Sequence, residues 1–147
     1  MGFRIIDEIV DLEPGTSIQA RKSVFRHEPY FEDHLPGFPA VPGVLLLEMM
    51  NQTAGICLEA EDWDRGTPVL SRIESANFRD WVGPDSTLDV YATIVLSRQK
   101  YAKAACRVEV GGRKIADSTV LFSFISPTPI KENILKPVYQ AFIDKNH

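Results

Sequence analysis

Along the chain the spacing of hydrophobic and polar positions changes character, and each change predicts a new element. From Phe3 to Leu12 the apolar residues suit a strand, or a strand with a short helical start, and the run ends at the turn signal Glu13-Pro14-Gly15. Ile18 to Phe25 reads as the returning strand, with Ile18, Ala20 and Val24 facing inward, so the two form a hairpin. Glu28 to Asp33 is a short turn or helical loop. From about Pro42 to Ala60 the period becomes helical. Glu48, Asn51, Gln52 and Glu59 fall on one narrow stripe that contains Gly55, while Leu45, Leu46, Leu47, Met49, Met50, Ile56, Cys57 and Leu58 cover the remaining circumference. Such a helix is wrapped by other structure rather than laid on a surface. After the polar connection Glu61 to Gly66 the period becomes two, with strands expected over Val69–Phe78, Leu88–Leu96, Tyr101–Val110 and Ile115–Ile125, and Gly111-Gly112 as a two-residue hairpin signal. A strand pair, one long buried helix and a three- or four-stranded antiparallel run make an α+β fold whose sheet curls round the helix.

After Ser126 the pattern shifts again. Residues 1–126 read as one domain and 127–147 as a tail, in which Lys131 to Lys145 has roughly helical spacing despite Pro137. That helix either packs on the sheet or reaches across to a second subunit. A chain of 147 residues with 44% apolar composition buries one real core. The longest strongly apolar stretch, Val44 to Met50, is far shorter than the ~20 residues of a membrane span, and the N-terminus shows no charged-then-apolar leader, which points to the cytoplasm. The net charge of −4 argues against general nucleic-acid binding. Cys57 and Cys106 make neither a metal spacing nor a disulfide framework, so no metal is expected and both read as core residues.

Chemistry concentrates ahead of and within the helix. Pro36, Pro39 and Pro42 stiffen a loop that begins at His34, and Pro42 stands where a helix start tolerates proline best. Glu48 follows three leucines and precedes two methionines, and desolvation there raises the pKa of a carboxyl group. Taken singly, Glu48 reads equally as the solvated edge of a helix, and His34 alone is no stronger.

The combination is more specific. His34-Leu-Pro-Gly-Phe-Pro-Ala-Val-Pro-Gly-Val-Leu-Leu-Leu-Glu48, with Gln52 one turn later, resembles the motif of the hot-dog-fold 3-hydroxyacyl-ACP dehydratases of fatty acid synthesis, and Arg72-Ile-Glu-Ser-Ala-Asn-Phe-Arg79 is similar to that family's strand after the helix. Leu35 stands where the family usually has phenylalanine, Met49-Met-Asn51 where it has small residues, and Gly83-Pro84-Asp85 where it has Pro-Gly-Asp. These departures leave acyl-chain length open.

The resemblance implies dehydration of a 3-hydroxyacyl thioester to the trans-2-enoyl thioester. His34 is then the candidate base and Glu48 the candidate acid, each site of a homodimer, or of a higher oligomer of dimers, combining His34 of one chain with Glu48 of the other. The first-turn amide of Gly43 is the natural donor to the thioester oxygen, because helix-start amides lack intrahelical partners and Pro42 has none to give. Gln52 holds the acid or a water, or is a polar group exposed at the helix edge. Phe38, Leu45 and Met49 line an acyl tunnel or are plain core. The substrate arrives on the 4′-phosphopantetheine arm of an acidic acyl carrier protein, for which Arg72, Arg79, Arg98, Lys100 and Lys103 are a candidate docking rim. No cofactor is expected. The competing readings are a hot-dog acyl thioesterase and an auxiliary acyl-binding subunit of a specialised polyketide or polyene pathway.

Overall fold

The computed structural model describes residues 5–33, 37–125 and 136–146. In chain order the elements are β1 (Glu8–Glu13), β2 (Ser17–Val24), α1 (Tyr30–Asp33), α2 (Gly43–Glu59), β3 (Thr67–Phe78), β4 (Ser86–Ser97), β5 (Tyr101–Val110), β6 (Arg113–Ile125) and α3 (Lys136–Asn146). The alternation of β2, β4 and β5 buries one side of each strand: Ile18, Ala20, Val24, Leu88, Val90, Ala92, Cys106 and Val108 all enter the core. Gly111 and Gly112, with φ of 58° and 80°, close the β5–β6 hairpin through the two positive-φ positions that a type I′ turn requires.

All strand pairs are antiparallel, in the order β1-β2-β4-β5-β6-β3. Only β4, β5 and β6 therefore form a meander; β3 is carried past them to the edge beside β6. Bulges between Ile94 and Leu96, between Val108 and Glu109 and at two points of the β3–β6 pair increase the local twist and curl the sheet. α2 fills the concave side, packing against β2 to β6. Its buried residues run without a break from Met49 to Leu58. The expected polar stripe is thus largely covered: Asn51 and Gln52 are each 7% exposed, and only Glu59 at its end stands in water.

Two connections carry more structure than their composition suggests. Glu61 to Gly66 reads as a polar link, yet the Arg65 side chain is 2% exposed, clamped between the rings of Trp63 and Phe124 at 3.9 and 4.0 Å from their centroids. Its guanidinium donates to Glu61 Oε2, Ser97 Oγ and the Arg98 carbonyl at 2.7–2.8 Å. This fastens the end of α2 to the β4–β5 turn and the start of β3. At the other side of the sheet, α3 packs against β1 and places Val138 in the core. No helix among the described residues is long and apolar enough to cross a membrane.

Candidate active site

α2 begins without a side-chain cap. Pro42 occupies the N-cap position at φ −58° and ψ 136°, and its carbonyl receives the amides of Leu45 and Leu46 at 3.0 and 3.3 Å. The Gly43 and Val44 amides lie ahead of that ladder, at the positive end of the helix dipole, and the first turn holds no acidic residue to neutralise it. A Cβ at 43 would stand 3.2 Å from Cδ1 of Phe78, so a side chain there would make that ring give by a few tenths of an ångström. The loop before α2 is tied down by the Val41 amide, which donates to the Val82 carbonyl at 2.8 Å.

Glu48 lies on the second turn, half-buried. Desolvation raises its carboxyl above the usual carboxylate range, and a hydrogen bond from Gln52 partly offsets that by favouring the charged form. Gln52 is in turn oriented by the N-terminal segment, because its Oε1 accepts the Ile5 amide at 3.1 Å and leaves its NH₂ group for the acid. Ile6, 1% exposed, anchors that segment in the core. The alternative reading of Gln52 as an exposed edge group is ruled out by this burial. Beside it, Asn51 Oδ1 is fully buried without a hydrogen-bond partner.

The remaining sequence candidates are dispersed. His34 lies outside the described residues, as do Leu35 and Pro36, in the three positions between α1 and Gly37. Met49 is wholly core, Leu45 partly buried against that core, and Phe38 is 47% exposed in the loop. A cleft of about 190 Å³ does adjoin Gly43, but its lining is Val41, Leu46, Phe78, Arg79, Asp80 and Trp81. Of these only Phe78 and Arg79 lay within the strand similar to the family's; Trp81 carried no sequence signal beyond its neighbourhood to them. Among the basic residues, Arg72 and Lys103 stand opposite Leu121 on either side, with Arg98 and Lys100 in the β4–β5 turn, all toward one end of the sheet. Arg79 is at the other end, beside the cleft, and donates to Asp117 at 2.6 Å; Lys103 pairs with Glu74 at 3.2 Å. The structure therefore does not bring the five into one patch. Among the described residues no cluster of His, Cys, Asp and Glu could hold a metal.

A family model for the FabA-like domain matches residues 1–119. A 3-hydroxyacyl-[acyl-carrier-protein] dehydratase FabZ of Ruminiclostridium cellulolyticum is 34% identical over 122 residues, which cover 82% of this chain and 86% of the relative. The protein of the same name from Lactobacillus helveticus is 38% identical over 128 residues, covering 86% and 85%. Among solved structures, the dehydratase heterocomplex ApeI:P from Xenorhabdus doucetiae superposes with a TM-score of 0.69 at 14% identity, covering 86% of each chain. A hypothetical thioesterase with coenzyme A from Streptococcus pneumoniae gives 0.66 at 14% identity, covering 82% and 86%.

Proposed function

The chain belongs to the family of FabA-like domains, and from that membership and the chemistry of α2 we propose how it works as a dehydratase of 3-hydroxyacyl thioesters carried on acyl carrier protein. The reaction removes water: the C2–H and C3–O bonds break, a C2=C3 double bond forms, and the thioester is untouched. His34 takes the C2 proton, a task that suits imidazole because its ordinary pKa lies near neutral. Glu48, whose carboxyl burial shifts toward the protonated form, gives its proton to the departing 3-hydroxyl. The Gly43 amide donates a hydrogen bond to the thioester oxygen, where charge gathers as C2 is deprotonated, and the uncapped helix start adds its dipole there. The proton taken by His34 passes back to Glu48 through solvent before the next turnover, and a cycle of proton transfer and charge stabilisation calls for no metal or prosthetic group.

The observation that carries the reading is the pairing on one helix of an uncapped Gly43 amide with a carboxyl group whose pKa burial raises. Two copies assemble through β3, so that His34 of one chain works with Glu48 of the partner subunit. In support, β3 is the outer strand of the sheet, with Val69, Leu70, Ile73 and Phe78 each 40–47% exposed. The carrier docks beside the cleft, where Arg79 alone of the five candidate cations lies; Arg72, Arg98, Lys100 and Lys103 stand toward the other end of the sheet.

The test is to supply 3-hydroxyacyl carrier-protein substrates of several chain lengths and follow enoyl formation. His34→Ala and Glu48→Gln should each abolish it while leaving the dimer folded, and mixing the two variants should restore part of the activity through hybrid dimers. Near-normal turnover by either variant refutes the mechanism. Release of free thiol instead of enoyl product would favour the thioesterase reading; the structural likeness to thioesterases at 14% identity speaks for the fold alone.

A further inference from the structure

The Gly43 amide fixes where a thioester carbonyl sits, and beside it lies a cleft that the proton transfers do not use. At about 190 Å³ the cleft is smaller than the ~300 Å³ at which pockets begin to enclose a whole drug-sized ligand, so it takes a segment of a longer molecule. Its walls are mixed. Val41, Leu46 and Phe78 are apolar, whereas Arg79 and Asp80 bring charges that are already paired, with Asp117 and Arg113 respectively. A saturated acyl tail would lay hydrocarbon against those charged edges; a chain that alternates methylenes with amides would not.

At the rim of the cleft, Trp81 is 63% exposed and Phe38 is 47% exposed. Their rings meet edge to face, with centroids 5.1 Å apart and planes at 66°. The pair is held from behind. Val82, 2% exposed, turns into the core and receives the Val41 amide, so that its neighbour Trp81 turns out, and the Trp81 amide donates to Asp80 Oδ1 at 2.8 Å. Two large aromatic side chains standing in water at the lip of a cleft present flat apolar faces backed by fixed backbone.

We infer that Trp81 and Phe38 form the platform on which the amides of the substrate's pantetheine arm lie while its thioester reaches Gly43. The inference rests on the dehydratase reading, because that reading places the thioester carbonyl at Gly43 and therefore the sulfur and the arm on one side of it. The acyl chain leaves on the other side, toward Glu48. An amide plane lying flat on an indole buries the ring face while its N–H and C=O edges still reach water.

The test compares two substrates with the same 3-hydroxyacyl group: an N-acetylcysteamine thioester, which has only the first amide, and a pantetheine thioester, which has the longer arm. In Trp81→Ala the KM for the pantetheine thioester should rise about ten-fold at unchanged kcat, with little change for the N-acetylcysteamine thioester, and Trp81→Phe should restore most of the loss. Equal effects on both substrates, or none on either, overturn the platform. So does a shift from dimer to monomer on size-exclusion chromatography, which would assign Trp81 to the subunit interface. If the unaltered enzyme dehydrates neither these thioesters nor the carrier-bound substrates, the dehydratase reading itself falls and takes the platform with it.

Discussion

Replacing Arg65 by alanine removes the one buried cation of the fold's described residues, and its surroundings set the size of the effect. The guanidinium gives hydrogen bonds to Ser97 Oγ and the Arg98 carbonyl, and bonds from a charged donor contribute about 1.5 kcal/mol each at the low end of their range. Two ring faces add about 0.5–1 kcal/mol each. Glu61 is 31% exposed and regains water when its partner goes, so the ion pair itself contributes little. The sum, about 4–5 kcal/mol, lies within the roughly 3–5 kcal/mol typical of breaking a buried charged pair. For a chain near 150 residues, 3–5 kcal/mol lowers Tm by about 6–20 °C. Arg65→Lys keeps the charge without the planar fork and should lose about half as much. Urea and thermal unfolding of the three proteins measure this, with kcat/KM at 25 °C as a control that should barely move, since Arg65 lies at the far end of α2 from Gly43. A Tm for Arg65→Ala within about 2 °C of the parent would mean that water replaces the guanidinium at no cost, and would refute the reasoning.

Three further outcomes follow from the same structure. Gly43→Ala keeps the amide but brings a methyl to 3.2 Å from the Phe78 ring, and the resulting shift of a few tenths of an ångström should lower kcat by about ten-fold; a loss under three-fold in steady-state assays would contradict this. Dehydration should decline as pH rises through the raised pKa of Glu48, and Gln52→Leu, by removing the donor to the carboxylate, should move that alkaline limb upward; an unmoved or lowered limb in the pH–rate profile would count against the Gln52 assignment. Asp85 has φ 63°, and its ion pair with Arg26 is exposed on both sides, so Asp85→Gly should gain about 0.5–1 kcal/mol and raise Tm by a few degrees in calorimetry.

Periodicity and order were legible in the sequence to different degrees. The helix is bounded within a residue of expectation because Pro42 and the apolar run mark its start, and β5 coincides with Tyr101–Val110 because alternation through Cys106 and Val108 admits one register. The strand order was not legible. Alternation says which side of β3 is apolar but nothing about its neighbour, and β3 pairs with β6 at separations from 38 residues (Phe78 to Ala116) to 58 (Thr67 to Ile125). Burial of polar groups was equally hidden. A polar stripe looks solvated on a helical wheel, and it takes the Ile5 amide, far away in sequence, to show that Gln52 is enclosed. Arg65 was missed for the same reason, since its partners come from the β4–β5 turn and from β6. For the site, the spacing from His34 to Glu48 carried the family's motif, whereas the cleft lining at Trp81 arises from the fold that packs 79–82 beside 41–46.

The two borders of the sheet are built differently. β1 is short, carries Glu8, Asp11 and Glu13, is bulged between Ile9 and Asp11, and has α3 packed against it. β3 is twelve residues long, and among the described residues no strand pairs with its outer side. A protein with two open borders can add copies indefinitely, each new one offering a fresh border to the next. Here a copy that joins through β3 has spent its adhesive side, and what it presents outward is acidic and irregular. Assembly through β3, as proposed, would be self-limiting, so higher concentration should yield more pairs and not longer ribbons.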